Sequence, residues 1–489
     1  MGELRRPPPG RGHPALEVLT AVNLSPLDLV PLGAYFVVIV GLGWLKRRNF
    51  KGEAYLLMGR QLTLPGFVLS LVSTWYGGIL GSSEYSYTVG LSNWIVLGIP
   101  YYVFAGVFAI FLARRARRSY VYSVPDLLAG CYGERARLPA SLLVLVLASP
   151  APYVLTFGVL LNFLFGVPVI PGILIGGIFS YLYVYRDGLA VIVRTDLFQC
   201  LLMYTGYGLL LVGAWFTFGS PFALWQELSR SAPDHVSLTG GKPVSYVMVW
   251  FFIASWTLVA PMFHQRVYAL RNEKHARLGI TLSIAAWTVF DLFTTFAGLY
   301  AFANFPGIED PRISHFLMAE TLLPAGLYGL FLTGIFATVM STLDSELFVS
   351  GVTLGPDMLG RTRGFKGLSE PVLTRIGMAG VLVAAILLAI FVPSVVDLYY
   401  TIGTLAVPGL LVPVLGATGL IRPLPPRLIR LHLLGVPLFS LLWFLGGELT
   451  GWYPLVRVEP FYPGIALSAI ILLFGYRESL SLNGDKKNT

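Results

Sequence analysis

The chain has 489 residues, 55% of them hydrophobic and only 12% charged, with a formal net charge of +9 and a mean hydropathy of +0.72. A soluble domain carries about 25% charged residues, so this composition excludes an ordinary water-soluble protein and reads as an all-α polytopic membrane protein. Period-two alternation of apolar residues is absent, which argues against a membrane β-barrel.

The opening MGELRRPPPGRGHP is rich in Pro, Gly and Arg, and 1–27 reads as a disordered external N-terminus. It has charge but no apolar run directly behind it, so it makes a poor signal peptide. About thirteen apolar stretches follow, near 28–46, 65–90, 93–113, 139–166, 168–185, 195–216, 245–266, 278–304, 324–350, 371–393, 396–420, 431–447 and 463–475. A bilayer core takes ~20 apolar residues per helix. The second stretch contains STWYGGILGSSEYSYTVG, in which Gly77 and Gly78 disfavour helix. Five spans later FFIASWTLVAPMFHQR is interrupted by Pro261, which has no backbone N–H to donate. Unwound backbone at membrane depth is tolerated only where it lines a cavity or is buried in protein. Broken helices at matching places in two halves point to an inverted-repeat transporter, although Gly and Pro also serve simple close packing of membrane helices. The expected organisation is an extra first helix and loop (28–64), a five-helix repeat (65–216), an external loop (217–244), a second five-helix repeat (245–420), two further helices (421–475) and a cytoplasmic tail (476–489).

Topology explains the positive charge. With the N-terminus outside, the cytoplasmic connections hold about 27 Lys and Arg and the external ones about 7, the asymmetry of the positive-inside rule. The clusters KRRNFK (46–51), ARRAR (113–117) and RTRGFK (361–366) are therefore membrane anchors, not contacts to nucleic acid. Two cysteines, Cys131 and Cys200, and six scattered histidines make neither a disulfide framework nor a metal motif.

The ninth stretch ends in ATVMSTLDSELF, residues 337–348. On a helix Thr338, Ser341, Thr342 and Ser345 fall at i, i+3, i+4 and i+7, one face, with Asp344 and Glu346 on its flanks. Hydroxyls and unpaired carbonyls are ligands for a hard cation such as sodium, and the unwound 71–78 segment has carbonyls to offer. The alternative is that these hydroxyls bond back to their own helix or join neighbouring helices.

The stretch GIFATVMSTLDSELFVSGVTLGPDML resembles the signature helix of the sodium:solute symporter family, which has the leucine-transporter (LeuT-type) fold of 5+5 inverted repeats. Further segments agree in order: GEAYLLMGRQLTLPGFVLSLVSTW (52–75), YSVPDLLAGCYGERAR (122–137), GLAVIVRTDLFQCLLMYTGY (188–207) and FHQRVYALRNEKHARLG (263–279). The resemblance spans roughly 50 to 420, and thirteen spans with the N-terminus outside match the bacterial proline-symporter branch. It implies a sodium site built from the carbonyls of Leu71, Thr74 and Thr338 and the hydroxyls of Ser341 and Thr342. Thr338 stands where relatives usually have alanine, but the ligand there is a carbonyl. Asp196 matches an acidic residue thought to help sodium bind or leave, and with Ser345 it builds a second ion site in some members; the alternative for Asp196 is pairing with Arg194 or another basic residue.

The same resemblance places the solute near Trp75, Tyr76, Gly77, Gly78 and Trp256, the last where relatives have an aromatic lid. Gly78 stands where sugar carriers have a side-chain amide, which disfavours a sugar. Glu84 and Asp291 are carboxylates at membrane depth, where such groups are costly and usually functional; Glu84 matches an acid of choline-carrying relatives. Acids among aromatic rings suit an amino-acid-like or cationic amine solute, while Asp291 also reads as a polar contact between helices. The expected function is sodium-coupled symport into the cell, by a monomer in the plasma membrane with its C-terminus cytoplasmic. A proton-coupled relative, using Asp196, Glu84 or Asp291, is the alternative. An embedded enzyme would need a nucleophile–base pair or a metal cluster, and the sequence displays neither; a transporter-like sensor would need a signalling domain, for which the tail is too short.

Overall fold

A computed structural model describes residues 24–44, 51–392, 395–451 and 458–485. Most of the proline-rich opening, the KRRNFK cluster up to Phe50 and the last four residues of the tail lie outside them. Helices occupy each of the thirteen apolar stretches. We label them α1 (Pro26–Trp44), α2 (Leu64–Ser73), α3 (Ile79–Val89), α4 (Ser92–Arg118), α5 (Glu134–Phe165), α6 (Val169–Val184), α7 (Leu189–Phe218), α8 (Val244–Ile253), α9 (Pro261–Ala269), α10 (Lys274–Asn304), α11 (Leu327–Val352), α12 (Glu370–Phe391), α13 (Val395–Ala417), α14 (Ile429–Thr450) and α15 (Phe461–Asp485). Among the described residues, nine helical segments are long and apolar enough to cross a membrane, with four shorter apolar helices beside them. Helix α1 starts at Pro26, so the end of the expected disordered stretch is already helical.

The bundle is apolar outside and polar at its centre. Phe216, Phe391 and Leu449 are among many large apolar side chains left exposed on its outer surface, which costs nothing where the surroundings are hydrocarbon. The most enclosed span contains α11, 89% buried, with α7, α12, α1 and α5 around it. Glycines set the close approaches. A Cβ on Gly334 of α11 would lie 2.8 Å from the Leu202 carbonyl of α7, and one on Gly298 of α10 would meet Ser86 of α3 at 2.2 Å.

Helix starts follow local chemistry. The Thr63 hydroxyl accepts from the Gly66 amide to cap α2, and Pro65 fills its first turn. Asp28 of α1 caps another helix altogether: its Oδ1 accepts from the amides of Gly326, at 2.7 Å, and Gly329, at 2.9 Å, fixing the start of α11. At one end of the bundle, backbone bonds join Leu62 to Ala269 and Arg271, so the chain entering α2 is tied to the chain leaving α9. Arg117 donates to the Leu270 carbonyl there. Nearby, Arg118 pairs with Glu273 at 2.7 Å and holds that carboxyl below its usual range.

Candidate functional site

The two interruptions fall where the sequence places them and are built differently. Helix α2 stops at Ser73; residues 74–78 run unwound; Gly78 starts α3. The Thr74 hydroxyl turns back to the carbonyls of Ser70, 2.9 Å, and Leu71, 3.3 Å. Gly77 has no alternative at this crossing, since a Cβ would lie 2.5 Å from the Tyr153 ring and 2.6 Å from Cβ of Thr342. In the other interruption, α8 tightens into a short turn over Ala254–Leu258 and restarts at Pro261.

The first break lies against the hydroxyl face of α11. Ser341 donates to the Ser73 carbonyl across the crossing, 2.7 Å, and to the Thr338 carbonyl on its own helix, 3.0 Å. Thr342 donates to the Thr338 carbonyl at 3.3 Å, and Thr338 bonds back to Gly334. Thr338 and Thr342 thus bond to their own helix, and Ser341 also joins it to α2, as the alternative reading of the stripe expects. All four stripe residues are buried, as are Leu71 and Thr74. Ser73, whose carbonyl takes the Ser341 bond, is absent from the sequence-derived ligand set.

Beyond Ser341 the stripe enters a charged network. Asp196 of α7 accepts from the Ser70 hydroxyl at 2.5 Å and pairs with Arg266 of α9 at 3.4 Å. The same guanidinium donates to Ser345 at 2.5 Å and to Ser70 at 3.3 Å. The alternative for Asp196, pairing with a basic residue, holds with Arg266 and not with Arg194, which turns away and pairs with Asp187 at 2.7 Å. Asp344 accepts from Ser180, 2.5 Å, and from the Tyr183 hydroxyl, both on α6. Glu346 is buried beside Arg266, and its Oε2 has no partner among the described residues. Sequence reasoning gave Arg266 no role. The signal was legible: it lies in the half-helix after Pro261, and an arginine at membrane depth requires a carboxylate.

On the other side of the break the groups are aromatic. Trp75 packs on Trp287 of α10 (centroids 5.1 Å apart), on Tyr101 of α4 (5.5 Å) and on Phe263 of α9 (6.3 Å). The Tyr76 hydroxyl donates to the Trp287 carbonyl at 3.1 Å, and its ring lies 4.4 Å from Phe290. Asp291, one turn beyond Trp287, is half-buried and accepts from the Tyr102 hydroxyl of α4. The Tyr102 bond is the polar contact between helices that the sequence offered as an alternative, while Thr294 of the same helix donates to the Asp291 backbone carbonyl and not to its carboxylate. Trp256 stands apart from this cluster and packs over Gly403 of α13, while Glu84 faces the Asp310–Arg312 pair. Among the described residues no group of His, Cys, Asp and Glu has the arrangement of a metal centre. The oxygens at the α2–α11 crossing are hydroxyls and carbonyls, the donor set of a hard monovalent ion.

The family model for the sodium:solute symporters matches residues 55–415. The chain belongs to the sodium:solute symporter family. This symporter is 24% identical to the sodium/pantothenate symporter of Escherichia coli (strain K12), over 93% of the chain and 97% of that relative. It is 22% identical to the osmoregulated proline transporter OpuE of Bacillus subtilis (strain 168), over 73% of the chain and 76% of the relative. Among solved structures, a sodium-coupled sialic acid symporter in a substrate-bound outward-open state superposes with a TM-score of 0.72 at 17% identity, covering 93% of this chain and 97% of that one. A nucleobase-cation-symport-1 family transporter superposes at 0.56, with 14% identity and coverage of 89% and 96%. The symporter thus has the all-α LeuT-type fold. It is a multi-pass membrane transporter, not an enzyme, and its activity is sodium-coupled symport of a small solute.

Proposed function

We propose that this symporter imports a small organic solute by alternating access, with sodium seated where α11 crosses the first helix break. The observation that carries this reading is the Ser341 hydroxyl bonded to the Ser73 carbonyl at 2.7 Å, beside the Gly77–Thr342 contact. The carbonyls of Leu71, Thr74 and Thr338 and the hydroxyls of Ser341 and Thr342 are the proposed ligands. Arg266 holds Asp196 and Ser345 together beside them and sets the register of α7, α9 and α11 around the ion. Sodium binding stiffens the α2–α11 crossing, the solute fills the side lined by Trp75 to Gly78, Trp256 closes over it, and both leave inward.

The proposed topology has thirteen crossings arranged as 5+5 repeats with one extra helix before and two after, in a monomer of the plasma membrane. The Lys and Arg asymmetry sets the N-terminus outside and the C-terminus inside. A membrane potential of 100 mV supplies ~2.3 kcal/mol per charge, and a tenfold sodium gradient adds ~1.4 kcal/mol. One sodium then concentrates a neutral solute by at most roughly several hundredfold.

The experiment is uptake into proteoliposomes of a solute panel (proline, choline, pantothenate, lactate and glucose) under an inward sodium gradient, an inward proton gradient, or neither. Accumulation driven by sodium alone is expected for at least one solute. Accumulation driven by the proton gradient and indifferent to sodium would overturn the proposal.

A further inference from the structure

The paired and unpaired carboxylates of the interior differ in a way that bears on the solute. Asp196 is paired with Arg266, Asp357 with Arg137 and Asp187 with Arg194. Asp291 has no Lys, Arg or His within ion-pair distance among the described residues. Its carboxylate is held by the Tyr102 hydroxyl, with Tyr76 close on another side. It also rests against bare backbone, since a Cβ on Gly98 would lie 3.0 Å from Oδ2. Unlike Asp196, it is only half-buried. A carboxylate in a membrane span without a cation is costly, and a bound cationic group removes that cost.

Two further observations point the same way. The Trp287 ring, one turn from Asp291, is 1% exposed, yet its Nε1 has no hydrogen-bond acceptor among the described residues. A buried donor of this kind is open to an acceptor, from water or from a ligand. Trp75, Trp287, Tyr76, Tyr101 and Tyr102 also gather aromatic rings on the carboxylate's side of the break, a setting that suits an ammonium group. Among the described residues near the break, the guanidinium charges are already matched by carboxylates: Arg266 pairs with Asp196, and Arg312 is bound by Asp310.

Resting on the sodium-coupled reading above, we infer that the solute carries a protonated or quaternary amine, bound between the Asp291 carboxylate and the Trp75–Trp287 rings, and that Trp287 Nε1 donates to an acceptor on the same molecule. The pantothenate- and monocarboxylate-carrying relatives are named for acids; this chain departs from them in solute charge.

The test is thermal stabilisation and tryptophan fluorescence of the purified full-length protein in saturating sodium, titrated with choline, proline, pantothenate and lactate. Choline or proline is expected to bind at least about tenfold more tightly than either acid lacking an amine. Preference for choline identifies a cation subsite alone. Preference for proline identifies a zwitterion subsite, and Trp287→Phe then weakens proline more than choline. Asp291→Asn is expected to weaken the amine solute by about thirtyfold or more, and Asp291→Glu, which keeps the charge, by less. Stabilisation by sodium alone, measured without solute on wild type and both variants, reports folding and keeps failure of this inference apart from failure of the sodium-coupled reading. Tighter binding of pantothenate or lactate, or unchanged amine binding by Asp291→Asn, would overturn it.

Discussion

Two aspartates at membrane depth show how differently one side chain is used in one bundle. Asp196 is wholly enclosed, accepts from Ser70, and meets the Arg266 guanidinium, which also reaches Ser345. Asp291 is half-buried, held by a tyrosine hydroxyl and flanked by aromatic rings. Desolvation makes the first arrangement expensive unless it is complete, so a charge pair of that kind serves to fix helix positions. On the inference drawn above, the second leaves charge in reserve for an incoming group. On the proposed reading, the sodium side of the break is built around a charge pair shared among α7, α9 and α11, and the solute side around a carboxylate with no cationic partner among the described residues.

The comparison is broken most severely by separating the first pair. Arg266→Gln strands Asp196 in the interior and is expected to destabilise the protein by ~3–5 kcal/mol, seen as loss of folded protein in detergent. Asp196→Asn combined with Arg266→Gln recovers much of that loss, because no lone charge remains; a double variant no better than the single one would show that the pair does not act as a unit. A smaller effect comes from crowding the crossing between the two regions. Gly77→Ala places a Cβ into Tyr153 and Thr342, at an expected cost of ~1–3 kcal/mol, and sodium-driven uptake falls while membrane expression persists. The smallest concerns the rim. Trp256→Ala removes the ring that covers Gly403 and is expected to raise the apparent solute constant by about threefold to tenfold, with the sodium constant unchanged. Equal shifts in both constants would place Trp256 in the framework instead of the solute gate.

Much of this was legible in the sequence, for identifiable reasons. Apolar length located the helices, since each must span hydrocarbon. Gly77–Gly78 and Pro261 located both breaks, because those residues act on backbone geometry wherever the neighbours lie. The i, i+3, i+4, i+7 spacing of Thr338, Ser341, Thr342 and Ser345 put four hydroxyls on one face. The spacing was silent on which of them would leave the helix: Ser341 reaches Ser73 because the glycine at 77 lets α11 close on the break. Partners distant in sequence were likewise invisible. Asp196 and Arg266 lie 70 residues apart on consecutive spans, and sequence proximity favoured Arg194, which is committed to Asp187. The Asp291–Tyr102 bond joins α10 to α4, a pairing that only the packed bundle specifies.

The central claim is that sodium binds where α11 crosses the first break, and sodium activation of uptake in Ser341→Ala and Thr342→Ala tests it most directly. Each substitution removes one oxygen from the proposed set. The sodium concentration giving half-maximal uptake is expected to rise by about tenfold to a hundredfold, while solute affinity at saturating sodium stays near that of the wild type. Sodium activation unchanged in both variants would contradict the account.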